Sequence, residues 1–192
     1  MEWTAMAYNN SQRVKPVWNN RGFNFTPSKS ELVVPDTKES TLFLDMGGII
    51  RNRPDPLPIP LDLENAYVDF GLIWGEDIID LLMFDRGKVV VPLRKLEGFG
   101  ELDDALSYAE DVTIGIDWSQ NIEAKHSDFS IDIVQLLQKL HQRNQTDILV
   151  YSLQGDYPYI PAGIAVNSDI KLAYLSVPGP LPQWAKGVFF FE

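Results

Sequence analysis

The pattern of apolar and polar positions places most of the regular structure after residue 40. Apolar runs that are typical of strands occur at 41–45, 66–74, 112–118, 148–153, 170–177 and 187–191. Two more runs, 78–84 and 88–93, flank Asp85-Arg86-Gly87, a sequence typical of a tight hairpin turn. A helix over 76–84 is the competing interpretation, because Asp77 and Asp80 interrupt the alternation.

Two other segments have the spacing of an amphipathic helix. Apolar residues recur at helical intervals in 101–110, where they are Leu102, Ala105, Leu106 and Ala109. The segment 130–144 repeats that spacing with Ile133, Leu136, Leu137 and Leu140, and Ser130 is a candidate N-cap. Each segment therefore predicts a helix with one buried face.

These elements define an expected fold class. Strands outnumber helices by about three to one, which favours a sheet covered by helices on one face. We expect an α/β or α+β fold with a mixed, mostly antiparallel sheet of about six to eight strands, and with both helices, 101–110 and 130–144, on one face. The order of strand 112–118, helix 130–144 and strand 148–153 predicts one βαβ unit.

The first forty residues have a different character. They follow no clear period, are rich in Asn, Ser, Arg and Lys, and contain scattered aromatic residues. Such a composition is typical of an extended segment whose aromatic side chains anchor it to a neighbouring surface. We therefore predict an extended N-terminal arm at 1–40, followed by a single globular domain at 41–192.

Composition excludes several classes of protein. The chain is 45% hydrophobic and contains ten Phe, seven Tyr and five Trp, which is enough for a packed core. It contains no cysteine, and this excludes disulfide frameworks, thiolate metal sites and cysteine nucleophiles. The chain shows no secretory signal and no long apolar run, so we expect a soluble protein of the cytoplasm or of a virion.

The charge is uneven along the chain. The net charge of −11 argues against a general nucleic-acid-binding protein, because phosphate binding depends on Lys and Arg. Residues 61–120 contain fourteen acidic and four basic residues, whereas residues 1–30 contain four basic residues and one acidic residue. This asymmetry has two interpretations: one segment binds a partner through charge, or the acidic residues form an ordinary solvated surface.

The catalytic motifs that we considered are incomplete in the sequence or absent from it. Gly98-Phe99-Gly100 has the setting of a dinucleotide-binding loop, but the third glycine is absent and acidic residues occupy the start of the following helix. His126 and His141 form no recognisable pair, and the chain has no Gly-x-Ser-x-Gly sequence. We therefore expect no cofactor, and the sequence favours a non-enzymatic role without excluding catalysis.

One chemical alternative remains. Three carboxylates occupy strand or strand-end positions, where rigid elements can hold the oxygen ligands that divalent cations prefer: Asp45, Asp69 and Asp117. If these side chains converge, the protein is a divalent-metal-dependent hydrolase or nuclease.

The leading hypothesis is a non-enzymatic interaction or assembly subunit of a multi-subunit complex, such as a virion or a contractile machine. Its arm would bind a protein partner, in a homo- or hetero-oligomer, through Arg13, Lys15, Trp18, Arg21, Phe23 and Phe25. Its acidic face would comprise Glu97, Glu101, Asp103, Asp104, Glu110 and Asp111. A second alternative is an inhibitor or immunity protein that presents this acidic face to a basic enzyme. We expect no membrane partner, and binding to nucleic acid is disfavoured.

Overall fold

The computed structural model describes residues 1–19, 22–30, 40–55, 65–83, 87–109, 111–175 and 178–191. The strands in these ranges are β1 (Glu2–Asn9), β2 (Gln12–Asn19), β3 (Gly22–Pro27), β4 (Thr41–Asp45), β5 (Ala66–Asp69), β6 (Lys88–Pro92), β7 (Thr113–Ser119), β8 (Asn121–Ile122), β9 (Asp147–Ser152), β10 (Asp169–Tyr174) and β11 (Gly187–Phe191). The helices are α1 (Met46–Arg51), α2 (Asp77–Leu82), α3 (Phe99–Tyr108), α4 (Ile133–His141) and α5 (Ala162–Ala165).

Eight of the strands close into an all-parallel barrel. Their order around the barrel is β1, β4, β5, β6, β7, β9, β10 and β11, and β11 pairs with β1 to complete the ring. The prediction of a mixed, mostly antiparallel sheet is therefore wrong. Parallel strands that are buried on both faces are continuous apolar runs in the sequence, and such runs do not reveal strand direction or sheet closure.

The predicted extended N-terminal arm is also wrong as a description of the fold. β1 is a barrel strand that pairs in parallel with β4 on one side and with β11 on the other. Ala5 and Ala7 of β1 are buried. β2 and β3 form an antiparallel hairpin that follows β1, and β2 pairs with the end of β1. The aromatic residues of this segment thus belong to the same folded unit as the rest of the chain.

Five short helices, rather than two helices on one face, connect the barrel strands within the described ranges. α3 and α4 lie at 99–108 and 133–141, and α4 joins β7 and β9, which are parallel neighbours. The hairpin predicted from 78–84 and 88–93 does not form: Asp77–Leu82 is helical, which agrees with the competing interpretation, and β6 pairs in parallel with β5 and β7. No helix in the described ranges is long and apolar enough to cross a bilayer.

The barrel strands alternate between two apolar layers, as strand geometry requires. Outward-facing residues such as Val89 and Val91 pack with the buried faces of the helices, including Leu136 and Leu140 of α4. Inward-facing residues such as Val90 fill the barrel together with their counterparts from other strands. This interior also receives partly buried aromatic residues of the hairpin: Trp18, Phe23 and Phe25.

Candidate functional site

A buried ionic cluster lies where three adjacent barrel strands end. Asp69 is the last residue of β5, Asp117 lies near the end of β7, and Arg94 follows β6, which runs between them. Arg94 Nη1 donates to Asp69 Oδ2 at 2.7 Å. Its Nε and Nη2 donate to the two carboxylate oxygens of Asp117 at 2.7 and 2.9 Å. The order of the strands thus places one guanidinium between two carboxylates.

Tyrosine and phenylalanine side chains enclose this cluster. The Tyr151 hydroxyl donates to Asp69 Oδ2 at 2.8 Å. The Arg94 guanidinium carbon lies 5.0 Å from the centre of the Tyr151 ring and 4.7 Å from that of Phe23, a hairpin residue. Cation–π contacts of this kind stabilise a guanidinium that has been removed from water.

The cluster holds one more carboxylate than it holds cations. Asp69, Arg94 and Asp117 are exposed by 0%, 8% and 2%, so water contributes little screening. Burial raises the pKa of Asp117 above its ordinary value, although the charge of Arg94 and its hydrogen bonds oppose that shift. Burial and the neighbouring Asp69 carboxylate likewise raise the pKa of Tyr151. The arrangement therefore favours a bound proton or hydrogen-bond donor close to the carboxylates.

A cavity of about 360 Å³, called here the mouth cavity, adjoins the cluster. The hairpin supplies Trp18 and Phe23 to its wall, and Arg94 and Asp117 reach it from the cluster. The segments after β6 and β8 add polar groups: Lys95, Glu123 and Lys125. Aromatic faces and charged groups thus surround a space large enough for a small polar molecule.

The two lysines of the mouth cavity have different partners. Lys125 forms an ion pair with Glu97. Lys95 Nζ instead donates to the backbone oxygen of Ile49 and to Asn52 Oδ1, the latter at 2.8 Å. Burial lowers the pKa of Lys95, as does the charge of Arg94, while Asp69 opposes the shift.

The third carboxylate of the predicted metal site, Asp45, serves another purpose. Its Oδ1 accepts from the backbone N–H groups of Gly47 and Gly48 at 2.9 and 3.1 Å and so caps α1. Its Oδ2 accepts from Asp55 N at 2.6 Å. Burial raises the pKa of Asp45 to about 7, against the lowering effect of these backbone hydrogen bonds.

The structure therefore does not assemble Asp45, Asp69 and Asp117 into one site. Leu44 is the register partner of Asp69 and faces the barrel interior, so the next residue, Asp45, faces the opposite side. Across the part of the chain that the structure describes, no three His, Asp or Glu residues form a group that could hold a metal ion. Asp69 and Asp117 do meet, but through Arg94.

The predicted arm residues lie mostly in the hairpin. The rings of Trp18 and Phe23 meet at 5.2 Å in an edge-on arrangement, and Phe25 also packs against the barrel interior. Lys15 is exposed, and Arg13 lies opposite Tyr8 in the pairing of β1 with β2. The aromatic anchors thus bind within the chain. Arg21 lies outside the described residues.

The residues of the predicted acidic face are spread over both ends of α3. Glu97 precedes this helix and contacts Lys125, whereas Asp111 follows it and contacts Lys88. The remaining described members are α3 residues: Glu101, which accepts from Gly75 N at 2.8 Å, Asp103, which Arg143 contacts at 2.6 Å, and the exposed Asp104. Glu110 lies outside the described residues. Internal partners therefore satisfy much of this charge.

Sequence reasoning missed Arg94, Lys95 and Tyr151. One signal was present, because Arg94 and Lys95 interrupt the apolar stretch from Val89 to Leu96 directly after a strand. A buried charge needs a partner, so this interruption predicts a carboxylate nearby. The strand order decides which carboxylates become the partners of Arg94. That order follows from closure of the barrel.

No protein-family model matches the chain, and no curated protein matches it significantly.

Proposed function

We propose that the protein is an enzyme that acts on a small, hydroxyl-bearing molecule in the mouth cavity. The observation that carries this proposal is the buried cluster of Asp69, Arg94 and Asp117 beside the cavity at the carboxyl ends of parallel strands. In closed eight-stranded parallel barrels, this end carries the active site in characterised enzymes. A fold by itself does not establish a function, so the chemistry of the residues must support the proposal independently.

The energetic cost of the cluster provides such support. Apolar side chains fill most of the barrel interior. Apolar side chains in place of the cluster would carry no cost for removing three charged groups from water. Replacing a buried ionic cluster with apolar residues of similar volume is often neutral or stabilising. Stability alone therefore does not explain why charges occupy the mouth, whereas orienting or activating a bound molecule does.

The polar groups suit a ligand with hydroxyl groups. Glu123 and Asp117 line the cavity and are adjacent, since Glu123 N donates to the backbone oxygen of Asp117 at 2.9 Å. Carboxylates accept hydrogen bonds from hydroxyl groups and exchange protons with them. Arg94 fixes both oxygens of Asp117, while Trp18 and Phe23 offer apolar faces to the carbon skeleton of the ligand.

A ligand panel tests the proposal. The thermal unfolding midpoint is measured with millimolar monosaccharides, polyols, hydroxyaldehydes and hydroxyketones. At least one of these compounds should raise the midpoint of the wild-type protein, and Glu123→Gln and Trp18→Ala should reduce that increase. Tyr159→Ala is the matched control, because Tyr159 lines a different cavity. A panel without effect, or an equal effect on all variants, would contradict the proposal.

Assembly of several copies is a second candidate function, favoured by two apolar surfaces on opposite sides of the barrel. α2 exposes a ridge formed by Ile79, Leu82 and the following Met83. A groove of about 740 Å³ is lined by side chains that include Tyr159, Val166 and Leu181 and lies beside β10, which is opposite β5 in the ring. The ridge of one copy would enter the groove of the next in a head-to-tail arrangement.

Light scattering over a range of concentrations tests this second candidate. The molecular mass of the wild-type protein should increase with concentration, and Leu82→Glu or Val166→Glu should each abolish the increase. Tyr108→Glu is the control, because Tyr108 is exposed but belongs to neither surface. A wild-type monomer at every concentration would exclude this assembly.

A further inference from the structure

Lys95 differs from the other lysines that are at least half-buried in the described ranges. Lys88 contacts Asp111 and Asp147, and Lys171 contacts Asp147 and Asp169. Lys95 is bonded only to neutral oxygens, those of Ile49 and Asn52. It is thus the lysine of this group without a carboxylate partner, and it lines the mouth cavity.

The surroundings of Lys95 make its ammonium form less favourable than that of a lysine in water. Burial and the neighbouring Arg94 guanidinium both lower the pKa of Lys95. Asp69 is the opposing charge, but Arg94 and Tyr151 already contact its Oδ2 atom. The other charged groups that line the cavity beside Arg94 are Asp117, which Arg94 binds, Glu123, and Lys125, which pairs with Glu97. A desolvated lysine beside another cation is a recognised form of activated nucleophile.

We infer that Lys95 forms an imine with a hydroxylated aldehyde or ketone in the mouth cavity. This inference rests on the proposed function and names the class of its substrate. The amine nitrogen forms a bond to the carbonyl carbon and yields a carbinolamine. The carbon–oxygen bond then breaks, the oxygen leaves as water, and the nitrogen loses its remaining proton. One molecule of water is released for each imine, and no oxidant or reductant takes part.

The cavity supplies the other groups that this reaction needs. Glu123 lines the same space as Lys95 and can exchange protons with the departing oxygen. The carboxylates of Glu123 and Asp117 accept hydrogen bonds from hydroxyl groups on the neighbouring carbons of the substrate. The carbonyl carbon would thereby be directed towards Lys95.

Reductive labelling of the full chain tests the inference. The protein is incubated at pH 7 with a limiting amount of glyceraldehyde and with cyanoborohydride, which reduces an imine to a stable secondary amine. Peptide mass spectrometry then ranks the labelled lysines. Lys95 should be labelled before Lys125, although the Lys125 side chain is 63% exposed. The neutral fraction of an amine rises about tenfold for every unit by which its pKa is lowered.

Two variants separate a chemical role from a structural one. Lys95→Arg keeps a cation that can contact the Ile49 and Asn52 oxygens but cannot form an imine, so labelling at position 95 should disappear while the unfolding midpoint is preserved. Lys186→Arg is the matched control, because Lys186 is an exposed lysine that lines a different cavity, and it should leave the labelling of Lys95 unchanged. Labelling that follows exposure, with Lys125 ahead of Lys95, would overturn the inference.

The same probe without the reductant distinguishes this failure from failure of the proposed function. If glyceraldehyde raises the unfolding midpoint of both the wild type and Lys95→Arg, but Lys95 is not preferentially labelled, the cavity binds the ligand and the imine is excluded. If glyceraldehyde neither raises the midpoint nor labels Lys95 preferentially, the inference fails, and the proposed function fails with it only if the whole ligand panel is also without effect.

Discussion

Charged side chains are buried at both ends of the barrel, but the buried cations of the two ends have different partners. At the amino-terminal end, Lys88 and Lys171 share Asp147, and each has one further aspartate partner. Hydrogen bonds and the charges of these aspartates raise the pKa values of both lysines, although burial opposes the shift. At the carboxyl-terminal end, Arg94 takes both carboxylates and leaves Lys95 with neutral acceptors beside a cavity. The lysines of the first end are thus paired with carboxylates, whereas a lysine of the second end is not, and the proposed function depends on this difference.

The largest expected effect comes from removing the cation of the carboxyl-terminal cluster. Arg94→Met would leave Asp69 and Asp117 buried without a cation, so unfolding in urea at pH 7 should show a loss of about 3–5 kcal/mol. The unpaired carboxyl groups would bind protons more tightly in the folded state than in the unfolded state, so the loss should shrink as the pH falls to 5. Arg94→Lys retains the positive charge, so its unfolding free energy should lie between those of the wild type and Arg94→Met. An unchanged unfolding free energy in Arg94→Met would show that Arg94 does not stabilise the buried Asp69 and Asp117 carboxylates.

A smaller effect is expected at the amino-terminal end. Lys171→Met would remove a buried cation, but Asp147 would keep Lys88 at 2.8 Å and Asp169 is partly exposed. We therefore expect a loss of about 2 kcal/mol in unfolding free energy, which is less than the loss expected when a buried charge is left without any partner. Ligand binding at the mouth should not change. Lys186→Met, which alters an exposed lysine, should cost less than about 0.5 kcal/mol. If Lys171→Met lost ligand binding while its stability was preserved, ligand binding would not be confined to the carboxyl-terminal end of the barrel.

Asp45 provides a test within the carboxyl-terminal end itself, which is the slope of stability against pH rather than a loss of stability at one pH. Its folded-state pKa of about 7 lies above the unfolded value of 3.8, so the folded protein holds a proton that the unfolded chain releases. Between pH 4 and 7 this group should lower the unfolding free energy by about 1.4 kcal/mol for each unit of rising pH.

Asp45→Asn, which cannot ionise, should remove that component from the stability profile measured by urea unfolding. The amide oxygen of Asn can still accept from the Gly47 and Gly48 N–H groups, so the cap of α1 is retained in part. An identical pH dependence in the variant and the wild type would show that Asp45 is not the titrating group.

The sequence pattern was informative where a single element carried its own signal. The recurrence of Leu136, Leu137 and Leu140 predicts the buried face that α4 has, because helical periodicity depends only on local spacing. The strand at 41–45 is likewise β4, a short buried run that ends before two glycines. The segment Asp77–Leu82 was harder to assign, because six residues with two aspartates fit a strand nearly as well as a helix.

The candidate site was harder to predict, because its members come from separate parts of the chain. Asp69, Arg94 and Asp117 were all present in the sequence, and two of them were identified as strand or strand-end carboxylates. Their grouping with Asp45 was wrong, because strand alternation turns Asp45 towards α1. Their actual partner, Arg94, could be recognised only once β6 was known to run between β5 and β7.

The sequence by itself thus determined the apolar strands, the amphipathic helices and the presence of charged residues at or near strand ends. Tertiary structure decided that β1 closes the ring between β4 and β11, and that the aromatic residues of the hairpin pack within the chain. The physical reason is that apolar burial is non-directional, whereas strand order and the pairing of charges depend on hydrogen bonds between residues far apart in the chain.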